Sequence, residues 1–338
     1  LPIFCEAPMI PLFRIVANGA DITAKIQDRL LELRLHDEAG LGSDTATITL
    51  DNRDRAIRIP PKGAVLTIAL GYEESGLVPK GQFTVDETRV SGPPHRMTIK
   101  AKAADMRKSL KEPRSTSYDG ITVGDLVKTI ATRNDLKPRC SAEMAAIDLG
   151  HVDQTEESDL HLLTRLAGQY GATAKPANGC LLFVPSGEAK SATGQSLSAV
   201  SIDLAVDGGS YDATFADRKD YGAVVARWRN QGSNEDVEVT VEADDAEPDA
   251  PTYRMRNTFA DEAAARAAAK AKLAALSRGT ATLSLTDIIG KPSAGAECPL
   301  TVANAQGNVD AAAWRITSTD HTFTSSGLTT SIEAEAKK

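Results

Sequence analysis

Hydrophobic and polar residues alternate with a period of two through most of the first hundred residues. Such alternation places the apolar side chains on one face of a β-strand, and Asn, Gly and Pro turns separate the runs. Several short strands with turns of this kind favour a barrel or sandwich over a βαβ sheet. The pattern predicts strands at Ile10–Ile15, Leu30–His36, Thr45–Leu50, Val65–Leu70, Gln82–Arg89 and Arg96–Ala103.

The same series of β patterns recurs near the end of the chain. Four blocks there repeat four early blocks in the same order, and paired positions lie 231 to 235 residues apart. Order and spacing together predict a duplicated β domain with other material between the copies. The paired positions are Thr45 and Thr280, Leu66 and Leu300, Phe83 and Trp314, and Ile99 and Ile332.

A helical period replaces the alternation in the middle of the chain. Thr122, with Asp125 three residues later, predicts the capped start of one helix. Ser158 predicts the cap of a second helix, which Gly171 should end in a left-handed conformation. We expect Leu160, Leu163, Leu166 and Ala167 to form its apolar stripe, and β runs at Ala146–Val152, Ala172–Lys175 and Leu181–Val184 to flank it.

The last third returns to β patterning, with strands predicted at Ala223–Arg229 and Val237–Val241. A long Ala-rich helix is expected over residues 259–278, capped by Thr258 and ended by Gly279. Residues 234–251 are rich in carboxylates, and their tail, Ala243–Ala250, lacks an apolar period, which indicates a flexible acidic loop. A calcium site there is the sharper alternative, but the spaced Asp and Gly pattern of such loops is missing.

These patterns predict a mixed β protein with an α/β insertion. We expect a first β-barrel-like domain over residues 1–106, an inserted α/β domain over 107–199, and a second β-barrel-like domain over 200–338. A chain of 338 residues is long enough for two or three domains. The Ser-, Gly- and Thr-rich stretch Pro185–Ser198 reads as the linker out of the insertion.

Composition mainly argues against certain classes of function. The formal net charge of −8 argues against specific nucleic-acid binding, which needs clustered Lys and Arg. Two short basic patches, around Arg107–Arg114 and at Arg227 and Arg229, are interpreted as a solvated linker and a strand face. The four scattered cysteines indicate reduced thiols, and no apolar stretch approaches the roughly 20 residues that span a bilayer, so no membrane insertion is expected.

A search for catalytic chemistry finds no recognisable site. The five histidines are scattered, and His-rich metal patterns, a nucleophile elbow and Gly-rich phosphate or dinucleotide loops are missing from the sequence. A glycosidase carboxylate pair would need aromatic rings beside it, and only 4% of the residues are aromatic. We therefore expect no enzyme activity, no catalytic, cofactor-binding or metal-binding residues, and no cofactor.

One segment resembles a known family. Asp153–Leu160, running into Leu163–Ala167 and Tyr170–Ala172, is similar to a motif of the late control protein D family of contractile-tail phages, which is related to the hub part of VgrG proteins. Leu162 stands where that family usually has an aromatic residue. Supporting pieces, in the family's order, are Pro61–Gly63, Gly71–Tyr72, Gly81–Glu87, Ser91–Pro94, Asp217–Arg218 with Tyr221, and Trp314–Ile316 with His321.

The resemblance implies a structural baseplate hub in which two similar β domains per chain assemble as a homotrimer. The resulting pseudo-sixfold ring would join the sixfold tail tube, or a tube-initiator protein, to a threefold spike and contact other baseplate proteins. Because the chain ends soon after the second repeat, we expect the spike to be a separate protein. The expected location is the virion baseplate, assembled in the host cytoplasm, with DNA passing through the lumen.

Three alternatives remain open at this point. The chain could be a baseplate-associated cell-wall hydrolase, the hub of a type VI-like secretion apparatus, or a carbohydrate-binding adhesion module. An adhesion module generally needs exposed aromatic residues, and the low aromatic content argues against one. Whether the lumen of a ring would be acidic depends on where the carboxylates lie.

Overall fold

Strands dominate the computed structural model of the chain. The structure describes residues 9–39, 44–103, 109–177, 179–187, 196–215, 221–230, 232–244, 246, 249–259, 261–276 and 281–336. Strands from the N-terminal and C-terminal parts of the chain form a 13-stranded sheet, and three smaller sheets complete the architecture.

The N-terminal half of the large sheet is built from the first seven strands. Its strand order is β3-β4-β7-β6-β5-β1, with β2 on the outer edge of β1. All six predicted strands are present, with ends displaced by a few residues. The elements are β1 (Pro11–Ala17), β2 (Ala20–Asp21), α1 (Thr23–Ile26), β3 (Leu30–Glu38), β4 (Thr45–Asp51), β5 (Val65–Tyr72), β6 (Gly76–Ser91) and β7 (Arg96–Lys102).

The middle segment forms two small sheets and two longer helices around a separate hydrophobic cluster. β8 pairs with β10, and β12 lies between β9 and β11. After a 3₁₀ turn (Ser109–Lys111) the elements are β8 (Pro113–Asp119), α2 (Val123–Arg133), β9 (Lys137–Cys140), α3 (Ala142–Ala145), β10 (His151–Ser158), α4 (Asp159–Tyr170), β11 (Ala172–Ala177) and β12 (Cys180–Pro185).

The remaining strands form the C-terminal half of the large sheet, in the order β14-β18-β21-β20-β19-β13, and one further small sheet, β16-β15-β17. The elements are β13 (Val200–Asp203), α5 (Leu204–Asp207), β14 (Ser210–Phe215), β15 (Ala223–Asn230), β16 (Glu235–Glu242), β17 (Thr252–Phe259), α6 (Glu262–Leu276), β18 (Ala281–Ile289), β19 (Pro299–Ala303), α7 (Gly307–Ala311), β20 (Trp314–Thr324) and β21 (Gly327–Ala336).

The two halves of the large sheet share one strand order. β3, β4, β7, β6, β5 and β1 occupy the places that β14, β18, β21, β20, β19 and β13 occupy in the other half. A bulge lies at the same place in each, at Asp86 on β6 and at Thr317 on β20. One difference is that β1 pairs antiparallel with β5, whereas β13 pairs parallel with β19.

The ladders correct one predicted equivalence. Ala46 faces Ala101, and Leu283 faces Ala334, so Ala46 corresponds to Leu283 once the bulges are aligned. Thr45 therefore corresponds to Thr282 rather than to Thr280. The two-residue error leaves each side chain on its expected face, because side chains alternate along a strand with period two.

The cap predictions in the middle segment are confirmed. The Thr122 side chain accepts from the Asp125 amide, Ser158 accepts from the His161 amide, and Gly171 ends α4 with φ of 65°. The predicted stripe of α4 is wrong in one position, because Leu162 is fully buried and Leu160 only half-buried. The strand predicted at Ala146–Val152 is also displaced, since β10 begins at His151.

The C-terminal half contains an excursion that sequence patterns described only in part. β15, β16 and β17 form their own sheet, and α6 packs on it through Ala265, Ala268 and Ala269. The helix begins at Glu262 rather than at 259, because Thr258 lies in β17 and Asp261 accepts the Ala264 amide instead. β16 occupies the first half of the acidic stretch, and Gly279 lies outside the described residues.

Candidate functional site

The two halves of the large sheet join where β3 pairs antiparallel with the second half of β20. Leu35 lies opposite His321, and His36 lies opposite Asp320. The Asp320 carboxylate accepts from Arg34 Nε at 2.9 Å and lies 3.2 Å from His36 Nδ1. β3 is therefore shared between the halves: it pairs with β4 of the N-terminal half on one edge and with β20 of the C-terminal half on the other.

A partly buried ion cluster joins the middle segment to this junction. Lys175 on β11 donates to Asp37 at 3.2 Å, to Asp44 at 2.9 Å and to the Glu38 carbonyl at 2.8 Å. Asp37 also accepts the Ala296 amide at 2.9 Å. One ammonium group thus holds two carboxylates where all three parts of the chain meet.

The cluster contains more negative than positive charge, and this affects its protonation. Burial, together with the negative charge of Asp37, raises the pKa of Asp44 to about 6. Burial also opposes ionisation of Asp37, but the Lys175 ammonium and the Ala296 amide outweigh it and hold the Asp37 pKa below its usual value. The two carboxylates keep the Lys175 pKa raised despite burial.

A second buried pair crosses the same junction. Lys80 on β6 lies 2.8 Å from His321 Nε2 and donates to the Ala294 carbonyl at 3.0 Å. With Lys80 donating to Nε2, the imidazole proton is on Nδ1, which lies 2.9 Å from Thr330 Oγ1. Both side chains line a cavity of about 250 Å³ together with His36, Asp37 and Asp44.

Burial changes the pKa of both members of this pair. It lowers the pKa of Lys80 to about 8. Burial and the nearby Lys80 charge lower the pKa of His321 to about 3, so the imidazole is neutral at physiological pH. The two groups form a polar contact between the halves of the sheet.

The Ser158 motif has a structural role that the sequence indicated only in part. Asp159 lies in the first turn of α4, and its side chain is completely buried. It accepts from Arg133 at 2.9 Å, Gln154 at 3.0 Å and Asn134 at 3.1 Å. Three donors, two from the end of α2 and one from β10, therefore converge on this buried carboxylate.

Arg227 and Arg229 are exposed on β15 as predicted, whereas Arg114 of the other basic patch lies in β8, with its Nε 3.5 Å from Asp159, and not in a solvated linker. Arg229 pairs with Asp236, which lies across the β15–β16 ladder. The basic residues Arg107 and Lys108, like Cys5, lie outside the described residues. Cys140, Cys180 and Cys298 are free thiols. In the described ranges no set of three or more His, Cys, Asp and Glu side chains is arranged to hold a metal ion, and no helix is long and apolar enough to cross a bilayer.

Sequence reasoning missed the junction cluster altogether. Lys80, Lys175 and His321 are separated by 95 or more residues, so no local spacing could connect them. The only available signal is indirect: His321 interrupts a β pattern whose equivalent in the first half is Val90. When one repeat has a polar residue where the other has an apolar one, the two positions are expected to have different neighbours in the folded protein.

Comparison with known proteins adds the family. The family described as phage tail baseplate hub (GPD) matches residues 47–327, which is most of the chain. The chain belongs to the phage tail baseplate hub family. A probable baseplate hub protein of Escherichia phage 186 is 33% identical, over 97% of this chain and 94% of that protein.

Solved structures show that the hub fold is shared more widely. A tail protein from Neisseria meningitidis MC58 has a TM-score of 0.68 at 13% identity, covering 97% of both chains. The E. coli c3393 protein, a type VI secretion component described as similar to T4 tail proteins gp27 and gp5, has a TM-score of 0.53 at 12% identity, covering 90% of this chain and 73% of that chain. This chain is a baseplate hub protein and a component of the virion tail.

Two strand edges of this hub protein remain open within the described residues. The outer edge of β14 faces away from its partner β18, and the segment Glu87–Ser91 of β6 pairs only with β7. Tyr211, Phe215 and Val90 on these edges are exposed by 40%, 48% and 49%. Unpaired strand edges with exposed apolar side chains are typical of surfaces that pair with another strand.

Proposed function

We propose that this hub protein forms a homotrimeric, pseudo-sixfold ring that joins the sixfold tail tube to a threefold spike. The observation that supports it most directly is the shared strand order of the two halves, joined head to tail through β3 and β20. Three copies would present six similar β units along one ring. Such a ring fits a sixfold tube on one face and a threefold spike on the other.

The domain layout belongs to the same proposal. Residues 1–106 and 200–338 would be the two β-barrel-like tube domains, and residues 107–199 the inserted α/β domain. The separate hydrophobic clusters of the three segments support these divisions. The sheet β15–β17 with α6 is then an addition to the second tube domain, with its own cluster.

The proposed partners are a separate spike protein, the tail tube or its initiator, and other baseplate proteins. The hub of phage 186 matches over 94% of its own length, which supports a hub of similar extent. Assembly would take place in the host cytoplasm. DNA would pass through the lumen without specific binding, in keeping with the net charge of −8.

We also propose that the role is structural rather than catalytic. The carboxylates that the structure brings together, Asp37 and Asp44, both accept from Lys175. The relatives are named as baseplate hub proteins. A hub of a type VI-like apparatus is a second candidate, which the c3393 likeness supports, but 33% identity to a phage hub favours the phage tail.

The mass of the purified protein in solution tests the ring. Light scattering should give three times 35.8 kDa for the chain alone, or a complex that contains three copies of the chain once its candidate spike partner is added. A monomer under both conditions, at concentrations up to those of assembly, would contradict the proposal. Clearing of purified peptidoglycan by the protein would contradict the structural role.

A further inference from the structure

The pairing of β3 with β20 inside the chain indicates a second, equivalent strand pairing. β3 and β14 occupy equivalent places, and so do β20 and β6. The pairing of β3 with β20 therefore has a counterpart in which β14 would pair with β6. Within one chain β14 lies at one end of the sheet order and six strands separate it from β6, so the counterpart needs a second copy.

We propose that the open edge of β14 pairs antiparallel with Glu87–Ser91 of β6 in the next copy. The internal junction sets the register, because Leu35 corresponds to Ala213 and His321 corresponds to Val90. Ala213 of one copy thus lies opposite Val90 of the next. The inference rests on the proposed ring and specifies the strands, the register and the charges that close it.

Charge complementarity supports this partner. At the internal junction Arg34 of β3 pairs with Asp320 of β20 at 2.9 Å. The equivalent positions hold the opposite charges, with Asp212 on β14 and Arg89 on β6. Both junctions therefore contain one Arg and one Asp, but the strand that carries each charge is exchanged.

The exchanged charges also oppose incorrect pairing. If β14 bound the β20 edge of another copy in the same register, Asp212 would lie diagonally across from Asp320, as Arg34 does at the internal junction. If β3 bound the β6 edge, Arg34 would lie diagonally across from Arg89. Like charges on neighbouring strands destabilise a pair, so the arrangement favours β3 with β20 and β14 with β6.

In such an assembly, junctions within a chain alternate with junctions between copies. Each first half contacts a second half on both sides, once within its own chain and once across copies. A head-to-tail contact of this kind closes into a ring when the rotation between units allows it. The contact would also cover Tyr211, Phe215 and Val90, the exposed apolar side chains of both edges.

Disulfide crosslinking tests the register. The double variant Val90→Cys with Ala213→Cys places two thiols opposite each other across copies, and mild oxidation should give covalent dimers and trimers on a non-reducing gel. Ser91→Cys with Ala213→Cys is the matched control, because Ser91 points to the other face of β6. Wild-type protein treated in parallel measures crosslinking through the native thiols.

Charge reversal tests the pairing independently. Arg89→Asp and Asp212→Arg should each raise the dissociation constant of the oligomer at least tenfold. The double variant restores an Arg–Asp pair with the polarity of the internal junction, and it should recover most of the affinity. Both side chains are exposed, so circular dichroism should show wild-type folding in all three.

The outcomes separate this inference from the proposed ring. A trimer that neither crosslinks at Val90 and Ala213 nor responds to charge reversal would overturn the strand pairing and leave the ring standing. A chain that stays monomeric with and without the spike would overturn both. Crosslinking in the Ser91 control equal to that in the test variant would also overturn the register.

Discussion

At the scale of single residues, the buried polar side chains of this hub place stricter requirements on their neighbours than the apolar core residues do, because each needs a hydrogen-bond partner. Asp159, His321 and Thr330 are essentially inaccessible, and each is hydrogen-bonded. A buried polar group without partners would cost about 1–3 kcal/mol, so such residues accept few substitutions. His321 is the case where this dependence can be measured through pH.

Acidification should destabilise the protein through His321. The pKa of its imidazole is lowered from 6.5 to about 3 in the folded state, so its contribution is fully present above pH 6.5 and is lost as the pH falls towards 3. Lowering the pH from 7 to 5 should cost about 2 kcal/mol through this group. Asp44, whose pKa is raised to about 6, acts in the opposite direction over the same window.

The comparison of wild type with His321→Gln isolates the imidazole. Urea unfolding at pH 7 and pH 5 should show a smaller loss of unfolding free energy in the variant, by about 2 kcal/mol. His161→Gln is the matched control, since the His161 side chain is 71% exposed and should leave the pH dependence unchanged. Equal pH dependence in wild type and His321→Gln would contradict the assignment of a neutral buried imidazole.

At the scale of elements, small side chains set how closely the helices pack. The buried face of α6 consists of Ala265, Ala268 and Ala269, which lie against the sheet β15–β17. α6 also approaches the end of α4, where a Cβ on Gly171 would lie 2.7 Å from the Ala271 Cβ. Alanine favours the helix intrinsically, and it also allows this close approach.

Enlarging the buried face of α6 should therefore destabilise the excursion. Ala269→Leu should lower the free energy of unfolding by about 1–3 kcal/mol, because the site is fully buried and has no room for three more carbon atoms. Ala267→Leu, on the exposed face of the same helix, should change it by no more than about 0.5 kcal/mol. Urea unfolding measures both, and equal effects would show that α6 does not pack as described.

At the scale of the whole molecule, contacts at the junction connect the N-terminal half, the middle segment and the C-terminal half. Phe323 and Leu328 of the C-terminal half belong to the hydrophobic cluster of the N-terminal half. Tyr72 donates to the Gly290 carbonyl at 3.0 Å, and Lys175 brings in the middle segment. The ion cluster is a contact to which all three segments contribute.

Removing the shared ammonium should be costly. Lys175→Met leaves Asp37 and Asp44 close together without their cation, and we expect a loss of about 3–5 kcal/mol in unfolding free energy at pH 8. At pH 5 the loss should be smaller, because Asp44 can then take up a proton. Denaturant unfolding at the two pH values measures the difference.

A surface pair provides the control for this change. Lys102 and Asp86 form an ion pair at 2.8 Å with both side chains more than a third exposed. Lys102→Met should cost at most about 1 kcal/mol and show no comparable pH dependence. A similar small cost for Lys175→Met would mean that the cluster does not hold the three segments together.

Local patterns were sufficient for most elements of this protein. Alternation and the repeated blocks predicted six strands of the N-terminal half and β18 to β21 of the C-terminal half, whereas β13, β14 and β17 were not predicted. The caps Thr122 and Ser158 predicted where α2 and α4 begin, because these signals depend on neighbouring residues. The prediction at Thr258 was wrong because β17 continues through it and pairs with β15, a long-range contact that overrides a local capping preference.

The order of similar blocks in the sequence by itself indicated a repeated β architecture. Tertiary structure alone decided that the repeats join through β3 and β20, that Lys175 and His321 meet the junction, and that Arg34 and Asp320 have charge-exchanged counterparts at Asp212 and Arg89. The physical reason is that strand pairing and buried ion clusters join residues far apart along the chain. Their partners are determined by the folded sheet, while the local pattern determines only which face each side chain occupies.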